Sequence, residues 1–222
     1  MKKKIDAVVF DLDGVITDTA HYHFLAWKKL ADELEIPFNE AFNEELKGIN
    51  RMSSLELILQ KGNKQNSYKA SEKEEMAERK NKHYQEFLKD LTPNDILPGI
   101  VNLIENIKRD GLPIGVASVS KNAQTVLNAL KLDSTFDYVV DAATIKNSKP
   151  DPEIFLTVCT KLGALPERSI GIEDALAGID AIKASNMFAV GVGGILTKAD
   201  YRVDTTEELQ WSKVKEAFES HR

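Results

Sequence analysis

Apolar residues fall along the chain in two rhythms. Short runs rich in β-branched residues recur at IDAVVF (5–10), PIGVAS (113–118), FDYVVD (136–141), SIGIED (169–174) and MFAVGVG (187–193). Between them the period lengthens. GIVNLIENIKRDG sets Ile100, Leu103, Ile104 and Ile107 at helical spacing and stops at Gly111, and NAQTVLNALKL, DPEIFLTVCTKLG and ALAGIDAIKAS repeat the pattern. Strands of near-continuous apolar content that alternate with helices predict an α/β fold, a doubly wound parallel sheet covered on both faces. Residues 17–94 break the alternation with four or so helical patterns, no strand, and a higher charge density, as in SEKEEMAERKNKHYQEFLKD. The economical reading is an all-helical block (17–94) inserted after the first strand of a Rossmann-like core (1–16 and 95–222). Its hinges fall near Thr17–Asp18 and near Thr92–Asn94, where LTPND supplies a turn, and KGNKQNSYKA (61–70) is a polar loop between two of its helices.

Composition narrows the partners. At 222 residues, 42% hydrophobic and 29% charged, the chain has apolar material for a sizeable core. A formal net charge of −6 argues against nucleic acid or an anionic membrane as the main partner, but leaves room for a small phosphorylated ligand held by a few local cations. Cys159 is the only cysteine, so an intramolecular disulfide and a thiolate metal cluster are both excluded, and within EIFLTVCTKLG it reads as a small buried hydrophobe. MKKK looks like the start of a signal peptide, yet Asp6 and Asp11 interrupt the apolar run that should follow. No segment approaches the roughly 18 apolar residues of a membrane span. The expectation is a soluble, cytoplasmic, monomeric protein.

In a doubly wound sheet, ligands bind outside the carboxyl ends of the strands. Past the first strand come Asp11 and Asp13; past the second, SVSKN (Ser118 to Asn122); a loop beyond the third, SKPDP with Lys149; past the fourth, Glu173 and Asp174. Asp-x-Asp also opens a calcium-binding loop, but the positions that such a loop fills with a polar ligand, Gly and Glu hold Val15, Ile16 and Tyr22. Read alone, the two Asp residues would end a strand and cap a turn before Gly14; the carboxylates at the neighbouring strand end favour a site. Carboxylates converging on one crevice call for a hard cation, and Mg²⁺ suits a few carboxylates plus a substrate phosphate. Lys149, Ser118 and the amides opening a helix at Asn122 supply partners for phosphoryl oxygens. The set favours phosphoryl transfer, with an Asp as covalent nucleophile and the Asp two residues on handling the proton.

These residues carry a resemblance. DLDGVITDT, SVSKN, SKPDP and IEDALAG resemble the four motifs of the haloacid dehalogenase superfamily, in that family's order and across essentially the whole chain. The resemblance implies Asp11 as the nucleophile that forms an aspartyl phosphate and Asp13 as the general acid/base. It also implies phosphate binding by Ser118 and Lys149, and Mg²⁺ held by Asp11, Glu173, Asp174 and the backbone at Asp13. The helical insertion then corresponds to the family's cap, a lid over the crevice.

The cap carries further candidates. His23 and Trp27 share an apolar stripe with Leu30, Ala31 and Leu34; each reads as packed core or, for Trp27, as a platform for a sugar. In LKGINRMSSLE, Gly48 ends a helix, Ser53 and Glu56 read as a capping box for the next, and Lys47 and Arg51 flank the turn where a second phosphate would need them. Together with ASVSKN, these resemble the hexose-phosphate mutase branch of the superfamily more than its phosphatases. That likeness implies interconversion of β-D-glucose 1-phosphate and glucose 6-phosphate through β-glucose 1,6-bisphosphate, which is at once intermediate and activator. It implies that Arg51, with the Gly48–Ile49 backbone, holds the phosphate that is not being transferred, and that Ser120, Lys121 and Asn122 contact the sugar phosphate. Thr19 and His23 would tie lid closure to Asp13, with Lys47 in the same chain of contacts. The chain departs from that branch at Asn50, Val119 and Ala175, none of which carries a named chemical role. The alternatives are a Mg²⁺-dependent sugar-phosphate or phosphoglycolate phosphatase and, from another class, a signalling module that accepts phosphate on Asp11.

Overall fold

The computed structural model describes residues 4–194 and 196–221. The chain divides into two compact units, Met1–Asp18 with Thr92–Arg222 and the intervening Thr19–Leu91.

The first unit is built on a parallel sheet of six strands among the described residues: β1 (Ala7–Phe10), β2 (Ile114–Val116), β3 (Tyr138–Val139), β4 (Ser169–Glu173), β5 (Phe188–Val192) and β6 (Tyr201–Val203). The spatial order is β3-β2-β1-β4-β5-β6, so β1 lies inside the sheet with β2 and β4 as neighbours. Phe10 pairs in register with Val116 on one side and Ile172 on the other, which brings the carboxyl ends of three strands level. Every residue of β1, β4 and β5 is buried, as a sheet covered on both faces requires. One core cluster joins Val9 and Ala189 of the sheet to Ile154, Phe155 and Val158 of a helix spanning Glu153–Leu162, and to Ile179 and Ile182 of another spanning Leu176–Ala184. The strand β6 has no counterpart in the hydrophobic pattern. Its three residues, Tyr-Arg-Val, form no apolar run, and pairing with β5 rather than local propensity makes them a strand.

In chain order the helices are α1 (Ala20–Glu33), α2 (Glu40–Glu44), α3 (Arg51–Lys61), α4 (Ala70–Phe87), α5 (Ile100–Arg109), α6 (Ala123–Ala129), α7 (Glu153–Leu162), α8 (Leu176–Ala184) and α9 (Trp211–Ser220). The second unit consists of α1 to α4 around its own core, in which Trp27, Leu30, Phe42, Leu55, Leu59 and Met76 are buried together. Within the first unit the segments flanking this insertion are fastened to each other. Thr17 Oγ1 donates to the Asp95 carbonyl at 2.7 Å, and the Leu97 amide donates to the Ile16 carbonyl at 2.9 Å.

The start of α3 differs from the sequence reading. Asn50, not Ser53, is the N-cap: its side-chain oxygen accepts from the Ser53 amide at 2.9 Å, and Arg51 becomes the first helical residue. Asn caps as well as Ser does, and the turn closed at Gly48 (φ 73°) leaves it one residue of approach. Replacing Asn50 with Ala should therefore cost about 1 kcal/mol in denaturant unfolding, whereas Ser53→Ala should stay within about 0.5 kcal/mol; the reverse ranking would restore Ser53 as the cap.

Candidate active site

Asp11 follows β1 directly. It is buried, and its amide donates to the Ile172 carbonyl of β4 at 2.9 Å, so the first residue beyond the strand still obeys the sheet. The chain then turns back sharply: the Leu12 carbonyl accepts from the Ile16 amide at 2.9 Å, and the Gly14 amide donates to the Thr17 carbonyl at 2.7 Å. Gly14 has φ 80°, and a Cβ there would lie 2.2 Å from Asp174 Oδ2. Glycine is required twice over, by the left-handed backbone and by the carboxylate that fills the place of a side chain.

The loop between β3 and α7 delivers Lys149, and β4 ends in Glu173. The Lys149 ammonium donates to Asp11 Oδ1 at 2.6 Å and to Glu173 Oε2 at 2.7 Å, with all three residues buried. Glu173 Oε1 accepts from the Ala175 amide at 3.2 Å, which leaves both of its oxygens engaged. Past β2, the Ala117 amide donates to the Phe10 carbonyl at 2.8 Å and anchors a loop of hydroxyl turns. Ser118 Oγ accepts from the Ser120 amide and Ser120 Oγ from the Asn122 amide, each at 3.2 Å, before α6 begins. Ser118 and Asn122 are buried, Ser120 is half-buried and Lys121 is exposed.

The charges explain one another. Burial works against the Lys149 ammonium, but the adjoining Asp11 and Glu173 outweigh it and hold its pKa above the ordinary lysine value. Glu173 is pushed up to about 8, first by burial and then by the negative charge of Asp11, while Lys149 opposes the shift and Asp174 adds to it. One ammonium is shared among more carboxylates than it can neutralise. Asp11, Glu173 and Asp174 each place an oxygen so that all lie within 4.8 Å of one another, a hard-donor set with surplus negative charge that fits a divalent cation such as Mg²⁺. The carboxylate of Asp13, half-buried, is not part of that cluster.

The cap candidates gather in the helical unit. Thr19, fully buried, pairs its hydroxyl with the Tyr84 hydroxyl at 2.9 Å, and its carbonyl accepts from the His23 amide at 3.0 Å. The His23 ring stacks on Tyr84 with centroids 4.0 Å apart, and its Nδ1 lies 2.7 Å from Lys80 Nζ. Burial, then the charges of Lys80 and Arg51, hold the His23 pKa well below the usual imidazole value. A neutral ring that accepts from an ammonium at Nδ1 must carry its hydrogen on Nε2, so the network makes His23 a donor on its other edge. Lys80 is itself buried, between Trp27 (4.7 Å from ring centroid) and Tyr84 (4.9 Å). Trp27 thus joins the core and also one wall around this cation. Arg51 donates to Asn81 Oδ1 at 2.9 Å, and Lys47 pairs with Glu44 three residues before it at 3.0 Å. Gly48 and Ile49 are half-buried in the turn between them.

The sequence reading missed Lys80, Asn81 and Tyr84. They sit in ERKNKHY, which looks like a solvated charge run, but they continue the buried stripe of Met76 and Ala77 at helical spacing. A lysine and an asparagine on the apolar side of a helix were the available signal.

Residues 5–186 match the haloacid dehalogenase-like hydrolase family. The chain belongs to that family, as the resemblance in its four motifs implied. It is 48% identical over 97% of its length to the β-phosphoglucomutase of Bacillus subtilis, 96% of which is covered. The solved structure of β-phosphoglucomutase from Clostridium difficile superposes with a TM-score of 0.95 at 50% identity, covering 96% of this chain and 97% of that one. A phosphorylated carbohydrates phosphatase of Thermotoga maritima is 28% identical over 82% of each chain.

Two outcomes follow from this geometry. With its pKa about 8 against an ordinary 4.5, Glu173 binds a proton in the metal-free folded protein that the unfolded chain has lost over that interval. Its contribution to stability is complete below the lower value and vanishes as pH rises through the upper one. A divalent cation has to expel that proton, so Mg²⁺ affinity should rise with pH and level off above about 8. Calorimetric titration at pH 7 in buffers of different ionisation enthalpy should show proton release approaching one per ion, and identical heats in all buffers would contradict it. Separately, a Cβ on Gly178 would stand 2.0 Å from the Glu173 carboxylate. Gly178→Ala should weaken Mg²⁺ binding about tenfold or more while the circular dichroism of the protein is unchanged.

Proposed function

We propose that the protein is a β-phosphoglucomutase, interconverting β-D-glucose 1-phosphate and glucose 6-phosphate through an aspartyl phosphate on Asp11 and a β-glucose 1,6-bisphosphate intermediate. The observation that carries the chemistry is the buried contact of Asp11 with Lys149 and Glu173, which holds a carboxylate at a strand end beside an ammonium suited to a phosphoryl oxygen. The choice of a mutase over a phosphatase is supported by the relatives of 48% and 50% identity, both named for that activity.

In this reading phospho-Asp11 is the working form. Asp13 takes the proton from the C6 hydroxyl of β-glucose 1-phosphate as that oxygen attacks phosphorus, and the bond from phosphorus to the Asp11 oxygen breaks. The bisphosphate turns over in the site. Asp11 then attacks the C1 phosphate, the bond from phosphorus to the C1 oxygen breaks, and Asp13 returns the proton to that oxygen. Glucose 6-phosphate leaves and phospho-Asp11 is restored. Mg²⁺ held by Asp11, Glu173, Asp174 and the Asp13 backbone supplies charge neutralisation for the transferring group. Lys149 and Ser118 bind that group's oxygens, and Ser120, Lys121 and Asn122 take the sugar phosphate. Arg51 with the Gly48–Ile49 backbone holds the other phosphate.

A mutase has to keep water from its phosphoenzyme, which gives the helical unit the work of a lid. Thr19 and His23 would tie lid closure to the placement of Asp13, with Lys47 in the same chain of contacts, Lys80 fixing the His23 tautomer and Trp27 walling the cation. The buried contacts of Thr19 with Tyr84, of His23 with Lys80 and of Lys80 with Trp27 fix these side chains within the helical unit and support its part of this reading.

β-Glucose 1-phosphate supplied with a trace of the bisphosphate should give glucose 6-phosphate without matching release of inorganic phosphate. Stoichiometric phosphate release would make the protein a phosphatase instead. Asp11→Asn should abolish both products. His23→Ala should slow sugar phosphorylation by about 10²-fold or more with a smaller effect on phosphate binding, and an unchanged turnover rate would remove His23 from the mechanism.

A further inference from the structure

Arg51 is held from α4 by two acceptors one turn apart. Its Nη2 donates to Asn81 Oδ1 at 2.9 Å, and its Nη1 lies 3.5 Å from Glu78 Oε2. The acceptors differ in kind. Asn81 is neutral and buried, so its place is fixed by packing. Glu78 is charged and its side chain is 55% exposed, against 18% for Arg51, so it can swing into water at little cost. Arg51 and Lys80 both act on His23, which places two cations within electrostatic reach of a single neutral imidazole. Glu78 supplies negative charge beside the outer of the two.

We propose that Glu78 is an exchangeable counter-ion for Arg51, a carboxylate that holds the guanidinium edge until a phosphate takes it and so sets how tightly sugar phosphates bind. The proposal rests on Arg51 being the ligand of the phosphate that is not transferred. A phosphate dianion offers more oxygens and more charge than a carboxylate, and the fork of a guanidinium can donate to either. Asn81 keeps the fork aimed throughout, so the exchange replaces one anion by another without re-sorting the side chain. The carboxylate lowers affinity in return for an arginine whose charge is compensated while no substrate is bound, and its return to the guanidinium assists release. Glu78 is thereby a positioning residue that tunes affinity and takes no part in bond making.

The test measures the affinity of the full-length, Mg²⁺-loaded protein for glucose 6-phosphate by calorimetry at low ionic strength. An Asp13→Asn background prevents proton transfer and keeps the three metal-binding carboxylates. Glu78→Gln should tighten binding about two- to fivefold, the range of an exposed ion pair. Glu78→Asp should stay close to the parent. Glu75→Gln, the same change of charge at an exposed position one turn earlier, should leave affinity within about 1.5-fold, since surface charges at that distance are screened. Arg51→Gln should weaken binding about tenfold or more and abolish the effect of Glu78→Gln in the double variant. In the otherwise native enzyme, Glu78→Gln should lower KM without raising kcat. If Arg51→Gln leaves affinity intact, the phosphate-binding role of Arg51 fails and the proposal with it. If Arg51→Gln weakens binding while Glu78→Gln does not tighten it, or Glu75→Gln tightens it equally, the counter-ion alone is overturned.

Discussion

The Lys149 ammonium, buried between Asp11 and Glu173, is the constraint around which the sheet unit is arranged. An unpaired charge at that depth costs several kcal/mol, so the lysine and its partners have to arrive together. Adjacent strand ends deliver the two carboxylates, and an irregular loop delivers the cation. That loop is not left slack. The Glu153 carboxylate accepts from the Lys146 and Asn147 amides at 2.9 and 2.8 Å, and Asp151 Oδ1 accepts from the Glu153 amide at 2.9 Å. The backbone amides also hold the Glu153 carboxyl below the usual carboxylate range. A loop residue can present a buried charge only when its own backbone is pinned this way.

The helical unit solves the same electrostatic problem by other means. Lys80 is as buried as Lys149, and the faces of Trp27 and Tyr84 and the lone pair of a neutral imidazole stand around it. Ring quadrupoles contribute to stabilising the ammonium. Burial first, and then the charge of this cation, disfavours protonation of His23. In the sheet unit, carboxylates gather around a cation and leave negative charge over.

Much of this was legible in the chain itself, for an identifiable reason. Asp11, Glu173 and Asp174 lie at or just past the ends of strands whose apolar runs are nearly continuous, and Lys149 a loop beyond another, so a rule about strand ends locates them without any contact being known. The branch of the family was legible in LKGINR and in the Asp pair. Other features were not, because they depend on partners distant in sequence. Strand β6 exists through pairing with β5. Lys80 and Asn81 look solvated until α4 is seen packed against α1 and α3. The Asn50 cap was overlooked because Ser53 and Glu56 satisfied a local pattern equally well, and only the bond from the Ser53 amide to the Asn50 side chain shows which residue caps the helix.

The fastening of Thr17 to Asp95 has a consequence for how such a protein is assembled and diversified. The two points where the chain leaves and re-enters the sheet unit are already joined there, so the unit's own hydrogen bonds close the gap that an insertion would otherwise have to span. Loop-closure entropy grows only slowly with the length of what is inserted. The helical segment is therefore a cassette: whatever replaces it needs ends that meet, not a matched interior. A sheet unit with such a seam can exchange one inserted module for another while its buried Lys149 and carboxylates stay as they are.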